Sequence, residues 1–330
     1  LVEALRRYPV LRSALEWQRL REPHQVVHAV AELPLRVVDG DVDPVAVMAA
    51  ERGADFDFSA PPLLRLAIVR LDERTHHLIL TSHHAILDGW SGSMLMRECW
   101  EVYLARVGGR DAGWVERPPF RDYVGWLLTR DLDAAERYWR ELLDGVREAT
   151  PLPTGTAAAD PWPAGERQDE PVVRRKLTAP ASAALRRFCR ENRLTLSAVV
   201  YGAWASTLGR LTGQRDVVFG VTLSGRTASL DGLDRMIGQL ANTVPMRLWI
   251  PDSGDAVSYL RHVQAHVVDV SRFEYSPLTR IQRQSGVRAG TPLFHTTVLV
   301  QNFPVFLGNA DSVDEPATIR RGPGFGRISY

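Results

Sequence analysis

The chain has 330 residues, 45% hydrophobic and 24% charged, a balance that excludes collagen, simple disorder and a disulfide-held mini-protein. Forty basic residues against thirty-nine acidic ones leave a net charge of +1, so electrostatics make no case for nucleic acid or an anionic membrane. At about 150 residues per domain the length suggests roughly two domains.

The N-terminus, Leu1-Val2-Glu3-Ala4-Leu5-Arg6-Arg7, reads as an entry partway into a helix and lacks the apolar core of a secretory signal. No stretch approaches the roughly 18 apolar residues of a membrane helix. With no initiating methionine, and with Arg327-Ile328-Ser329-Tyr330 resembling the opening of a strand, the sequence reads as a piece of a longer cytoplasmic protein. Cys99 and Cys189 fall inside helical apolar patterns and read as free thiols of a reducing compartment.

Further along, the β-rich run Leu64 to Leu71, the turn Asp72-Glu73-Arg74-Thr75 and the run His76 to Ser82 predict a hairpin. Asp88-Gly89-Trp90-Ser91 then breaks the strand, and Met96, Cys99, Trp100, Tyr103 and Val107 recur at helical spacing. Between Glu148 and Pro171 the prolines and glycines of Thr150 to Gly155 and Asp160 to Gly165 predict a linker over 149–171. Beyond it, helices are expected around Leu185–Arg193 and Ala198–Leu211, with a strand at Asp216–Val221. A second strand shows Val244, Met246, Leu248 and Ile250 on one face, a helix carries Val257, Leu260, Val263, Val267 and Val270, and Leu293–Val300 reads as a last strand. Each half is therefore expected to be α+β, with a site in the cleft between them.

The segment that rises above composition is His83-His84-Ala85-Ile86-Leu87-Asp88-Gly89, where the strand gives way to the turn. Taken singly, a histidine at a strand end is ordinarily a hydrogen-bonded structural residue and Asp-Gly is ordinarily a turn. Neighbouring side chains on a strand point to opposite faces, so one histidine should pack and the other face a cavity. That geometry disfavours a two-histidine metal site, and no metal is expected. A Ser-His-Asp reading through Asp88 is weak because no serine sits in a nucleophile elbow. The alternative is that Asp88 holds the turn by pairing with an arginine of another element, since a buried carboxylate without a partner would cost several kcal/mol. Gly89 would supply permissive backbone.

These residues resemble the HHxxxDG signature of condensation domains of nonribosomal peptide synthetases. The likeness runs along nearly the whole chain. It includes Arg6-Arg7-Tyr8-Pro9-Val10-Leu11-Arg12, Phe120-Arg121-Asp122-Tyr123-Val124-Gly125-Trp126, and Gly220 with Ser224-Gly225-Arg226. Ile237-Gly238-Gln239-Leu240-Ala241-Asn242-Thr243-Val244-Pro245-Met246-Arg247 is similar to an IGxFxNTxPxR segment, and Pro292-Leu293-Phe294-His295 to Gln301-Asn302 to a late strand. The family's first motif is absent. Phe273-Glu274-Tyr275-Ser276-Pro277-Leu278 stands where HQDxPFE is more usual.

The resemblance implies an α+β fold of two chloramphenicol acetyltransferase-like subdomains, 1–148 and 172–330, arranged as a V with a tunnel between them. It implies amide formation between a thioester donor and an aminoacyl acceptor, each borne on 4'-phosphopantetheine by upstream and downstream peptidyl carrier domains, with an adenylation domain adjacent. No cofactor bound directly, nucleic acid or membrane is implied. By the same likeness His84 is the general base or amine positioner and His83 packs. Gly89 offers an N–H to the oxyanion. Asp88 pairs with Arg226, or failing that Arg247, and Trp90, Ser91 and Asn302 line the tunnel. An epimerisation domain shares HHxxxDG but carries a VGWFT-like segment where this chain has Ile237 to Thr243. Ester-forming acyltransferases of plant type carry a DFGWG motif that is missing here, and a non-catalytic recruitment module is the remaining competitor.

Overall fold

The computed structural model describes residues 1–18, 20–111, 113–152 and 173–301. Most of the expected linker, Asn302 and the expected strand opening at Arg327–Tyr330 lie outside these residues. Contacts divide the rest into two units. The first holds Leu1–Arg130 and Ala228–Ala241, the second Asp131–Thr227 and Asn242–Gln301. The first division thus falls at Arg130, ahead of the proline-rich stretch, and a short piece of later sequence returns to the first unit.

The first unit opens with helix α1 (Val2–Arg7), a 3-10 turn and an antiparallel ribbon of β1 (Ser13–Glu16) and β2 (His24–Val27). Strand β3 (Leu35–Val38) leads to helix α2 (Pro44–Gly53), capped by the Asp43 carboxylate on the Val45 N–H, with Pro44 at the first helical position, where no N–H is needed. The predicted hairpin follows as β4 (Leu64–Arg70) and β5 (His76–Ser82), in register from Leu64 opposite Ser82 to Arg70 opposite His76. Asp72 closes its turn by accepting the N–H groups of Arg74 and Thr75, both at 2.8 Å. Strand β3 joins β4 in parallel, giving the order β3-β4-β5. Helices α3 (Gly89–Val107) and α4 (Phe120–Leu128) complete the unit. Its main core gathers Leu5, Leu11, Leu63, Leu64, Ile86 and Leu95.

The second unit begins with α5 (Leu132–Leu142), continues through α6 (Ala179–Asn192) and α7 (Leu196–Thr212), and enters strand β6 (Asp216–Leu223). Asp131, Thr178 and Thr195 cap these three helices by accepting backbone N–H groups. Gly213 ends α7 at φ 71°, a left-handed conformation that costs glycine nothing. Strand β7 (Asn242–Trp249) pairs antiparallel with β6, and after α8 (Ala256–Ser271) and α9 (Leu278–Arg283) the strand β8 (Thr297–Leu299) pairs parallel on the other edge. The last strand is shorter than its apolar run predicts. Phe294 lays its ring on Gly220, where a Cβ would come within 2.5 Å, so pairing starts only at Thr297. Val244, Met246 and Leu248 are buried as predicted, while Ile250 lies just past the strand end.

Both units carry polar joints, buried in the first and part-buried in the second. In the first, Glu98 on α3 is 3% exposed and meets Arg117 at 3.1 Å, the Tyr8 hydroxyl at 2.7 Å and the Val115 N–H at 2.7 Å. Burial and the neighbouring carboxylate push the Tyr8 phenol well above its ordinary value. In the second, Arg247 grips Asp216 through two nitrogens and donates to the carbonyls of Leu142 and Asp144. Trp139 is sealed in that core and donates its indole N–H to Ser276 at 2.9 Å. Trp139→Ala should lower the unfolding free energy by about 3–5 kcal/mol, read from denaturant melts, because it empties a large volume and orphans a hydroxyl.

Candidate active site

The histidine segment is built by a strand that runs out. Strand β5 ends at Ser82, the His83 N–H still reaches the Leu63 carbonyl at 2.9 Å, and the Ile86 N–H then turns back to the His83 carbonyl. The two rings meet different partners, although both residues lie past the strand end, where the alternation no longer applies. His83 packs edge-on against Phe56 and Phe58, and its Nδ1 accepts the Ala85 N–H at 3.1 Å. Desolvation, reinforced by the charge of His84, holds the His83 imidazole below its ordinary pKa. His84 is half-buried and places Nδ1 2.9 Å from the side-chain oxygen of Gln239.

Asp88 does more than close a turn. It is 3% exposed and caps α3 by accepting the Ser91 N–H at 2.7 Å. Its second oxygen accepts the N–H groups of Leu240 at 3.1 Å and Ala241 at 3.3 Å, while its own N–H donates to the Gly238 carbonyl. Part of the compensation expected from a cation is therefore delivered by backbone dipoles. Arg247, the second-choice partner, is occupied by Asp216 and two carbonyls in the other unit, so that expectation is corrected.

Gly89 also needs correcting as a permissive hinge. It is the first residue of α3 and is absent from the glycines with positive φ. What it contributes is a backbone N–H in the first helical turn, one of the four that a helix leaves without an intrahelical acceptor. Ser91, expected in the tunnel wall, is fully buried and structural: its Oγ donates to the Gly238 carbonyl at 2.7 Å and accepts the Gly238 N–H at 3.0 Å. Its one hydroxyl proton is thus spent on the backbone of Gly238. Trp90 is half-buried and packs against the first unit's core. Asn302 lies outside the described residues.

His84, Asp88 and Ser91 share a partner in the segment 236–241. Gly238 lies under Phe120, where a Cβ would come within 2.1 Å of the ring, so only glycine fits. Phe120 and Tyr123 on α4 form a patch with Leu233, Met236 and Leu240, and Tyr123 stacks on Trp126. Arg117 donates to the Arg235 carbonyl at 3.0 Å, tying the Glu98 joint to the same segment. Gln239 sits inside this clamp. The sequence offers no role for it beyond membership of a motif; only its polarity between Ile237 and Leu240 marks it.

Arg226 belongs to the second unit and follows Gly225, which adopts φ 66°. That turn is fixed by Glu274, 4% exposed, which accepts from the Thr227 hydroxyl at 2.5 Å and the Gly225 N–H at 3.4 Å. Burial raises the Glu274 carboxyl above its ordinary range against those hydrogen bonds. Asn242 donates to the carbonyls of Glu274 and Ser276. The segment 273–278 is thus part of the second unit's framework. Cys99 and Cys189 are free thiols. Among the described residues no group of three or more His, Cys, Asp or Glu is gathered to hold a metal, and no helix is long and apolar enough to cross a membrane.

Against this geometry the comparisons converge. The family model for the condensation domain matches residues 1–324. Chondramide synthase cmdD of Chondromyces crocatus is 38% identical over 92% of this chain and 8% of its own length. A linear gramicidin synthase subunit from Brevibacillus parabrevis is 35% identical over 96% of the chain and 4% of its own length. The chain belongs to the condensation-domain family. It spans less than a tenth of the length of these two relatives. Among solved structures, the first condensation domain of the CDA synthetase superposes with a TM-score of 0.71 at 20% identity, over 91% of this chain and 72% of that one. That likeness fixes the fold as the α+β, chloramphenicol acetyltransferase-like class.

Two outcomes follow from the site. Asp88→Ala removes the cap of α3 and orphans two amides of the 236–241 segment, so unfolding free energy should fall by about 3 kcal/mol in a denaturant melt. Because His83 is held neutral in the folded state, the unfolded chain takes up its proton first. Stability should therefore decline as pH falls through about 6.5. His83→Phe should flatten that decline in melting temperatures measured between pH 8 and pH 5.5.

Proposed function

We propose that this chain joins an acyl or peptidyl thioester to the amine of an aminoacyl acceptor, both delivered on phosphopantetheine by carrier domains, as in nonribosomal peptide synthesis. The observation that carries the reading is His84: a half-buried imidazole at the family's signature position whose Nδ1 is engaged by Gln239. That leaves Nε2 as the ring atom for an amine.

The acceptor nitrogen attacks the thioester carbonyl carbon, a C–N bond forms, and the carbonyl oxygen takes up negative charge. His84 accepts the amine proton or aligns the amine by hydrogen bonding, a contribution of roughly a hundred- to ten-thousand-fold. The Gly89 N–H, in the first turn of α3, donates to the oxyanion at the positive end of the helix dipole. Collapse breaks the C–S bond, and the pantetheine sulfur leaves and is protonated. Holding both tethered reactants together supplies potentially ~7 to 11 kcal/mol of the barrier. Asp88, through its backbone donors at Ser91, Leu240 and Ala241, fixes the turn that carries His84. Adenylation and carrier domains are the partners this chemistry requires, in the cytoplasm where their substrates are made.

Carrier-loaded donor and acceptor, offered to the intact chain and followed by mass spectrometry of the bound products, test the reading. The unaltered protein should yield amide, and His84→Ala should lose at least about a hundred-fold of it with the thermal unfolding transition unmoved. Undiminished product from His84→Ala discards the assignment. Carrier or enzyme binding without any amide from the unaltered chain favours a recruitment module instead.

A further inference from the structure

The Gln239 side chain bridges two groups. Its Nε2 lies 2.7 Å from the Ala241 carbonyl oxygen, and its Oε1 lies 2.9 Å from His84 Nδ1. The orientation of that amide is not arbitrary. Turning it over would set its oxygen against the Ala241 carbonyl oxygen, so the NH2 faces Ala241 and the oxygen faces the imidazole. An oxygen that only accepts can be met only by an N–H, which must then be on Nδ1. The backbone on either side of Gln239 is held as well: Gly238 by Ser91 Oγ on both its N–H and carbonyl, Leu240 and Ala241 by the Asp88 carboxylate.

We propose that Gln239 is a positioning residue that fixes His84 as the Nδ1–H tautomer and aims its Nε2 lone pair at the acceptor amine, an inference that rests on the reading of His84 as base or amine positioner. A histidine free to take either tautomer would spend part of its time presenting an N–H to an amine that needs an acceptor. A neutral amide sets the tautomer and orients the ring without adding charge beside it. The ionisable neighbours on the histidine's own loop are directed elsewhere: His83 toward Phe56 and Phe58, Asp88 toward the N–H groups of Ser91, Leu240 and Ala241. From the facing segment 236–241 the group that reaches the ring is Gln239.

Selective 15N-histidine labelling of the 330-residue chain, with His84 assigned from the spectrum of His84→Ala, reads the tautomer directly. The unaltered protein should show the proton on Nδ1, and Q239L should move a large share of it to Nε2. With loaded carriers, Q239L should lower kcat roughly ten-fold or more, within the span that general base catalysis contributes, with KM for the acceptor carrier unchanged. Q239E gives up the bond to the Ala241 carbonyl, so its carboxylate turns away from that oxygen, but it keeps an acceptor for the Nδ1–H and adds charge. It should retain the tautomer, recover kcat at alkaline pH, and shift the acid limb of the pH–rate profile upward by about one unit. If Q239L fails to fold, the profile of Q239E decides alone. A proton on Nε2 in the unaltered protein, a tautomer indifferent to Q239L, a shifted tautomer with unchanged kcat, or an unshifted acid limb in Q239E overturns the proposal. Undiminished product from His84→Ala fails the parent reading instead, a result separate from where the proton sits.

Discussion

One carboxylate organises the first unit. Asp88 accepts one N–H from its own helix and two from a segment that is 152 and 153 residues away in sequence. A buried, ionised oxygen pair is costly to desolvate, and three converging amide donors repay that cost only if all are in place at once. The segment 236–241 is thereby pinned to the start of α3, and Ser91 and Phe120 leave Gly238 one position to occupy. His84 and Gln239 inherit their mutual geometry from that arrangement. The site is thus supported by a strand end, a helix start and a distant segment, none of which holds it alone.

The catalytic reading and the framework share residues economically. Ser91, one position from Trp90 and three from Asp88, serves the backbone of Gly238 rather than a ligand. Glu98, two helical turns further on, connects α3 through Arg117 to Arg235 of the same returning segment. Hydrogen bonds to buried charges are stronger than neutral ones, so these joints give a precise placement from few residues.

Much of this is legible in the sequence because the signals are periodic or local. The hairpin of β4 and β5 and the alternation of β7 obey their spacing rules. Helix α3 forms where expected, but Tyr103 and Val107 of its expected apolar stripe are exposed, and Met94, Leu95, Glu98 and Val102 are among its buried positions. The strands β1, β2 and β3 escape such rules. They are four residues long, and the latter two are mostly exposed, so they carry no clean alternation of buried and open positions. Helix α5 obeys the helical rule plainly, with Leu132, Ala135, Tyr138, Trp139 and Leu142 at three- and four-residue spacing and Ala135 and Trp139 buried. The roles of Ser91 and Gln239 are unreadable for a different reason: each is defined by a partner about 150 residues away. Likewise, the backbone N–H donors that Asp88 meets leave no trace in side-chain identity, so charge logic alone does not find them.

The return of Ala228–Ala241 to the first unit also sets an order of events on the ribosome. When α3 emerges from the exit tunnel, the amides that will neutralise Asp88 have yet to be translated. At about 5–20 residues per second the wait for the 155 positions between His84 and Gln239 is roughly 8 to 30 s. Through that interval the nascent first unit carries a half-finished floor, and severing the gene anywhere within the intervening stretch would strand the imidazole without its companion.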